Sequence, residues 1–184
     1  MSRDGKDRGT KRAGRTIVLV GLMGVGKSTV GRRLAQRLNL PFVDADEEIE
    51  RAAGLSVSEI FERYGEVHFR DGERRVIARL MDGTPKVIAT GGGAFVQAET
   101  RALILDQATA IWLDADIPTL IDRVRRRNNR PLLKGKNAGA VLRELAEHRN
   151  PLYAQAHHRI ESQSAPHDAT VNAILALLKD TMPL

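Results

Sequence analysis

Residues Gly21 to Ser28 read G-L-M-G-V-G-K-S, a glycine-rich loop closed by Lys27 and Ser28. Glycines let successive backbone N–H groups turn inward on phosphate oxygens, and a helix starting at the loop adds its partial positive charge. In such a loop Lys27 reaches the β- and γ-phosphates of a nucleoside triphosphate and the Ser28 hydroxyl sits on Mg²⁺. The flanks fit: the β-rich run Ile17, Val18, Leu19, Val20 precedes it, and Val30, Leu34, Ala35 and Leu38 follow at helical spacing. Gly24, Val25, Gly26, Lys27, Ser28 and Thr29 are the expected triphosphate-binding residues.

Two further groups carry chemistry. Asp44-Ala45-Asp46 follows a short apolar run, Leu40 to Val43. On extended backbone, residues two apart point their side chains the same way. One acid near Mg²⁺ and another near an attacking hydroxyl is what phosphoryl transfer requires. The competing role is capping of a helix that starts at Glu47. Gly91-Gly92-Gly93 follows the strand-like Val87 to Thr90. Three glycines exceed the needs of a turn and suit close approach of backbone to a ligand. Arg70, Arg130 and Arg149 are not separable by residue type from solvated arginines. Asp114 ends an apolar run, but Asp116 and Pro118 follow as a helix start, so capping is the expected role of this acidic pair. The five histidines, His167 among them, show no metal-ligand spacing and read as surface or packing residues.

The elements that must position these groups alternate. Strands are expected near 17–20, 40–43, 87–90, 110–113 and 159–161, with helices between them. Ser56 and Glu59 have capping-box spacing, and Gly65 breaks the helical stretch they open. A long helix over Ala140 to Asn150 continues beyond Pro151, which must interrupt its hydrogen bonding. Alternation implies a parallel sheet covered by helices, and ligands of such sheets bind outside the carboxyl ends of the strands.

Length and composition agree with one α/β domain: 184 residues, 42% hydrophobic and 28% charged. No apolar stretch approaches a membrane span, the N-terminus lacks a signal-type apolar region, and there is no cysteine for disulfides or thiolate metal sites. A cytoplasmic location is expected. The first fifteen residues hold six basic and two acidic side chains, most of the net charge of +6. Residues 1–14 are expected to form a disordered basic arm, residues 15–184 a single domain, and the polar stretch around 127–137 a mobile lid.

The fragments G-L-M-G-V-G-K-S-T-V-G, F-V-D-A-D, G-L-S-V-S-E-I-F-E-R-Y-G-E-V-H-F-R-D-G-E, T-G-G-G-A, R-P-L-L and R-N-P-L-Y, in this order, resemble the shikimate kinases, small P-loop enzymes of aromatic amino-acid biosynthesis. The resemblance implies a P-loop kinase fold of the nucleoside-monophosphate-kinase type, three layers α/β/α around a five-stranded parallel sheet. It implies transfer of the γ-phosphoryl group of ATP to the 3-hydroxyl of shikimate, with Mg²⁺, in a monomer. Asp46 resembles the general base, and Asp44, with Ser28, the metal side. Arg70 and Arg149 resemble the pair that grips the substrate carboxylate, beside Gly91, Gly92 and Gly93. Glu73 looks like the acid fixing Arg70, Arg130 like a lid arginine over the γ-phosphate, and Arg123 like one stacking on adenine. The stretch Ser162 to His167 departs from the family's adenine loop, and only Pro166 is assigned a contact there. A kinase for another hydroxy acid such as gluconate is the rival reading. A non-catalytic nucleotide module with a nucleic-acid-binding arm is not expected, because Lys27, Ser28, Asp44, Asp46 and Arg130 are all kept.

Overall fold

Strand β1 (Ile17–Val20) is buried along its whole length, and its four consecutive apolar residues are those of a strand covered on both faces. It is the centre of a five-stranded sheet of order β2-β3-β1-β4-β5, in which every pairing is parallel. The other strands are β2 (Phe42–Asp44), β3 (Val87–Ala89), β4 (Thr109–Asp114) and β5 (His158–Glu161). Ile17 lies opposite Val87 on one side and Thr109 on the other, so the core is a continuous apolar layer across β3, β1 and β4. The computed structural model describes residues 15–126, 135, 137–162 and 166–181; the basic arm, Arg130 and most of the expected lid lie outside them.

The helices are α1 (Lys27–Leu38), α2 (Ala45–Ala53), α3 (Val57–Leu80), α4 (Ala98–Gln107), α5 (Ile117–Arg125), α6 (Ala138–Tyr153) and α7 (His167–Thr181), with a short 3₁₀ turn at Ala94–Val96. α1 packs on α7, α2 on α3, and α5 on α6. The Ser56–Glu59 capping box is present in full, and Gly65 breaks α3 with φ 78° and ψ 176°. α6 continues past Pro151 to Tyr153, as expected, with the proline's missing N–H removing one intrahelical hydrogen bond near its end.

Two expectations about acids need correction. Asp46 is not on extended backbone: Asp44 is the last residue of β2 and the N-cap of α2, and Asp46 belongs to the first turn of that helix. Asp114 does not cap α5; Asp116 does, accepting from the Thr119 N–H. Asp114 instead receives the Arg159 guanidinium at 2.6 Å from the neighbouring strand β5, with Arg159 lying over the Trp112 ring. A strand-end acid beside a partner strand finds a cross-strand cation that sequence proximity does not reveal.

Candidate active site

Because the strands are parallel, the segments leaving β1, β2 and β3 emerge on one edge of the sheet. Thr90 fixes this edge: its N–H and its hydroxyl both donate to the Leu19 carbonyl, at 3.2 and 3.0 Å. The three segments line a single cleft of about 880 Å³, which includes Gly24, Gly26, Lys27, Ser28, Thr29, Asp44, Asp46, Gly91 and Gly92.

At the loop end, Gly26 is the left-handed N-cap of α1, with φ 97°. An L side chain is strained in that conformation, and a Cβ there would also stand 2.7 Å from the His167 ring. Val25 is buried, with its carbonyl accepting from Arg123 at 2.9 Å and from the Ser162 hydroxyl. Lys27 is buried, and its ammonium donates to the Gly21 and Leu22 carbonyls at 2.8 and 3.0 Å. The Ser28 hydroxyl donates to Asp44 Oδ2 at 2.6 Å, while Asp44 Oδ1 accepts from the Asp46 N–H at 3.0 Å. Capping and site chemistry thus coexist in Asp44: one oxygen starts the helix and the other meets the phosphate loop.

That hydroxyl and carboxylate are hard oxygen donors beside a phosphate-type loop, which suits a Mg²⁺ ion carried in with a nucleotide. Among the described residues no group of three or more His, Cys, Asp or Glu could hold a metal by itself. A metal here would need phosphate oxygens to complete its shell.

The opposite end is built from side chains around the glycine triplet. None of the three glycines has a positive φ, so their backbone conformation does not require glycine. Their neighbours do. A Cβ on Gly91 would stand 2.8 Å from Asp46 Oδ1 and 3.3 Å from Glu73 Oε1; one on Gly92 would stand 3.1 Å from Arg149 Nη1; one on Gly93 would collide with the Arg70 guanidinium. The triplet is the floor against which Asp46, Glu73, Arg149 and Arg70 pack. Arg70 and Arg149 do not line the large cleft itself. They flank its glycine wall, one from α3 and one from α6.

Glu73 is almost wholly buried, and its Oε2 accepts from Arg70 at 2.7 Å. Its Oε1 has no hydrogen-bond partner among the described residues. Burial raises the Glu73 pKa, with Arg70 partly opposing and Asp46 adding to the rise. Tyr153 is fully buried, donates its hydroxyl to the Gly92 carbonyl, and contacts Arg149; burial pushes its pKa up to about 12.

Two residues at this site are not among those expected from the sequence, although Tyr153 closes the fragment R-N-P-L-Y. His167, read there as surface or packing, lines the cleft beside Gly26, Pro166 and Arg123. Tyr153 reaches Gly92 only through the packing of α6 on the 3₁₀ turn. Proline preceding His167 at a helix start was the one local hint for the former.

A family model for shikimate kinase matches residues 23–179. The chain is 62% identical over 165 residues to a shikimate kinase of Caulobacter vibrioides, covering 90% of this chain and 82% of that one. It is 58% identical to a shikimate kinase of Novosphingobium aromaticivorans, covering 92% and 90%. Among solved structures, shikimate kinase from Acinetobacter baumannii in complex with shikimate superposes with a TM-score of 0.89 at 38% identity, covering 94% of this chain and 97% of that one. With the fold, the cleft and these relatives in agreement, the chain belongs to the shikimate kinase family.

Proposed function

We infer that the protein transfers the γ-phosphoryl group of ATP to the 3-hydroxyl of shikimate, giving shikimate 3-phosphate and ADP. The observation that carries this reading is the convergence of the phosphate loop, Asp44 with Asp46, and the glycine triplet on one cleft. A kinase needs its triphosphate and its acceptor hydroxyl at one mouth, and these segments are far apart in the chain.

The roles follow from chemistry and position. The N–H groups of the loop and the start of α1 favour phosphate oxygens. Lys27, held among loop carbonyls, is placed to exchange those contacts for phosphate contacts. Ser28 and Asp44 would hold Mg²⁺, which when bound neutralises charge on the β- and γ-oxygens. Asp46, beside Gly91, would orient the acceptor hydroxyl and take its proton. Arg70 and Arg149 present planar guanidinium forks suited to a carboxylate, and Glu73 holds Arg70 in place. Arg123, Pro166 and His167 would flank the nucleoside end. Arg130, outside the described residues, is assigned the charge-neutralising role over the γ-phosphate. A cytoplasmic monomer is the working expectation.

A panel of hydroxy acids in a coupled ADP-release assay tests the substrate, with shikimate expected to be turned over and gluconate not. Asp46→Asn should lower kcat by about 10³-fold while ATP still binds. Near-normal turnover of that variant would remove Asp46 from the reaction.

A further inference from the structure

Arg149 and Tyr153 stand one helical turn apart on α6, with the guanidinium close enough for its charge to act on the phenol. The same phenol hydroxyl donates to the carbonyl oxygen of Gly92, 61 positions away in the sequence. Arg149 Nη1 meanwhile lies 3.1 Å from where a Gly92 Cβ would stand. The Tyr153 ring is fully buried, with its centroid 6.1 Å from that of Trp112. Its hydroxyl therefore sits where the glycine wall and the carboxylate-gripping fork meet.

We propose that Tyr153 is a positioning residue for the acid substrate, locking the Gly92 backbone and the Arg149 guanidinium into one fixed relation. The phenol hydroxyl holds the Gly92 carbonyl, and the Arg149 guanidinium packs against the same glycine. The peptide unit is planar, so fixing the Gly92 carbonyl also fixes the Gly93 N–H on its opposite edge. Holding that one carbonyl thereby sets the direction of a backbone donor and the seat of a cationic fork on two separate elements. The hydroxyl's hydrogen bond goes to the glycine wall and not to the phosphate loop, so the larger effect is expected on the acid. Phenylalanine would fill nearly the same volume and lose the bond to the Gly92 carbonyl.

This inference rests on the shikimate reading of the cleft. The test is Tyr153→Phe in the full chain, with shikimate and ATP varied in turn beside the wild type. The KM for shikimate should rise about tenfold, as expected for a lost buried hydrogen bond. The KM for ATP and kcat should stay within about threefold, the pattern of lost ground-state binding. Combining Tyr153→Phe with Arg149→Lys should raise the shikimate KM by less than the product of the single effects, because the two changes damage one network. An unchanged shikimate KM, a parallel rise in both KM values, full multiplicativity, or a Tyr153→Phe chain that does not fold would each overturn the proposal. A wild type without shikimate turnover would instead remove the substrate reading on which it stands.

Discussion

The cleft contains two glycine-rich segments that use glycine for different reasons. In the phosphate loop, Gly26 adopts φ 97°, a backbone state that an L side chain resists. In the triplet, none of Gly91, Gly92 and Gly93 has a positive φ, and glycine is needed because four charged side chains crowd against it. The first segment uses glycine to shape its own backbone. The second is a surface onto which Asp46, Glu73, Arg149 and Arg70 are pressed. Substitutions at the first should disturb the backbone itself, and substitutions at the second should disturb only what leans on it.

The largest separation is expected at Lys27. Lys27→Ala should lower kcat by about 10³-fold with shikimate saturating, by loss of charge stabilisation at the transferring group. If turnover were kept, the loop end would bind nucleotide without contributing to transfer. Gly26→Ala comes next, with a stability cost of about 1–2 kcal/mol from the strained φ and a rise in the KM for ATP. Chemical denaturation and ATP kinetics on the same preparation would check both parts. Gly93→Ala should show the opposite pattern. The new methyl displaces the far end of a flexible arginine, so the melting temperature should hold while the KM for shikimate rises about tenfold. Equal stability losses in the two glycine variants would dissolve the distinction.

The smallest effect concerns Glu73, and its sign can be fixed. Burial raises the folded-state pKa above the value of 4.5 for an unperturbed carboxyl. Below 4.5 both folded and unfolded chains hold the proton, and the contribution to stability is whole. As pH climbs from 4.5 to the raised value, the unfolded chain releases a proton that the folded chain retains, and stability falls. Glu73→Gln cannot titrate. Its melting temperature minus that of the wild type should therefore grow across this window and then level off. A difference that shrinks with rising pH would mean that the Arg70 pairing outweighs burial, and a flat one that the two cancel.

The comparison also separates what was legible in the chain. The phosphate loop is contiguous, and its strand, turn and helix start lie within some twenty residues, so motif and flanks identify it together. The Ser56–Glu59 capping box and the Gly65 break are local in the same way. Asp44 and Asp46 were legible as a pair but not in geometry, since a helix start replaced the expected extended backbone. Arg70, Arg149 and Glu73 are marked only by the family resemblance, because nothing in residue type distinguishes a site arginine or glutamate from a solvated one.

By itself, the sequence determined that a triphosphate-type loop sits between a buried strand and a helix, that strands and helices alternate, and that acids and glycines end two further strands. Hydrogen-bonding periodicity, glycine content and capping are short-range properties, and short-range properties are written in neighbouring letters. Strand order, the Arg123 grip on Val25 across 98 positions, the His167 ring against Gly26 and the Tyr153 bond to Gly92 were decided only in three dimensions. Those contacts depend on which strands lie side by side, and a residue pattern that repeats every two or every 3.6 positions carries no record of that order.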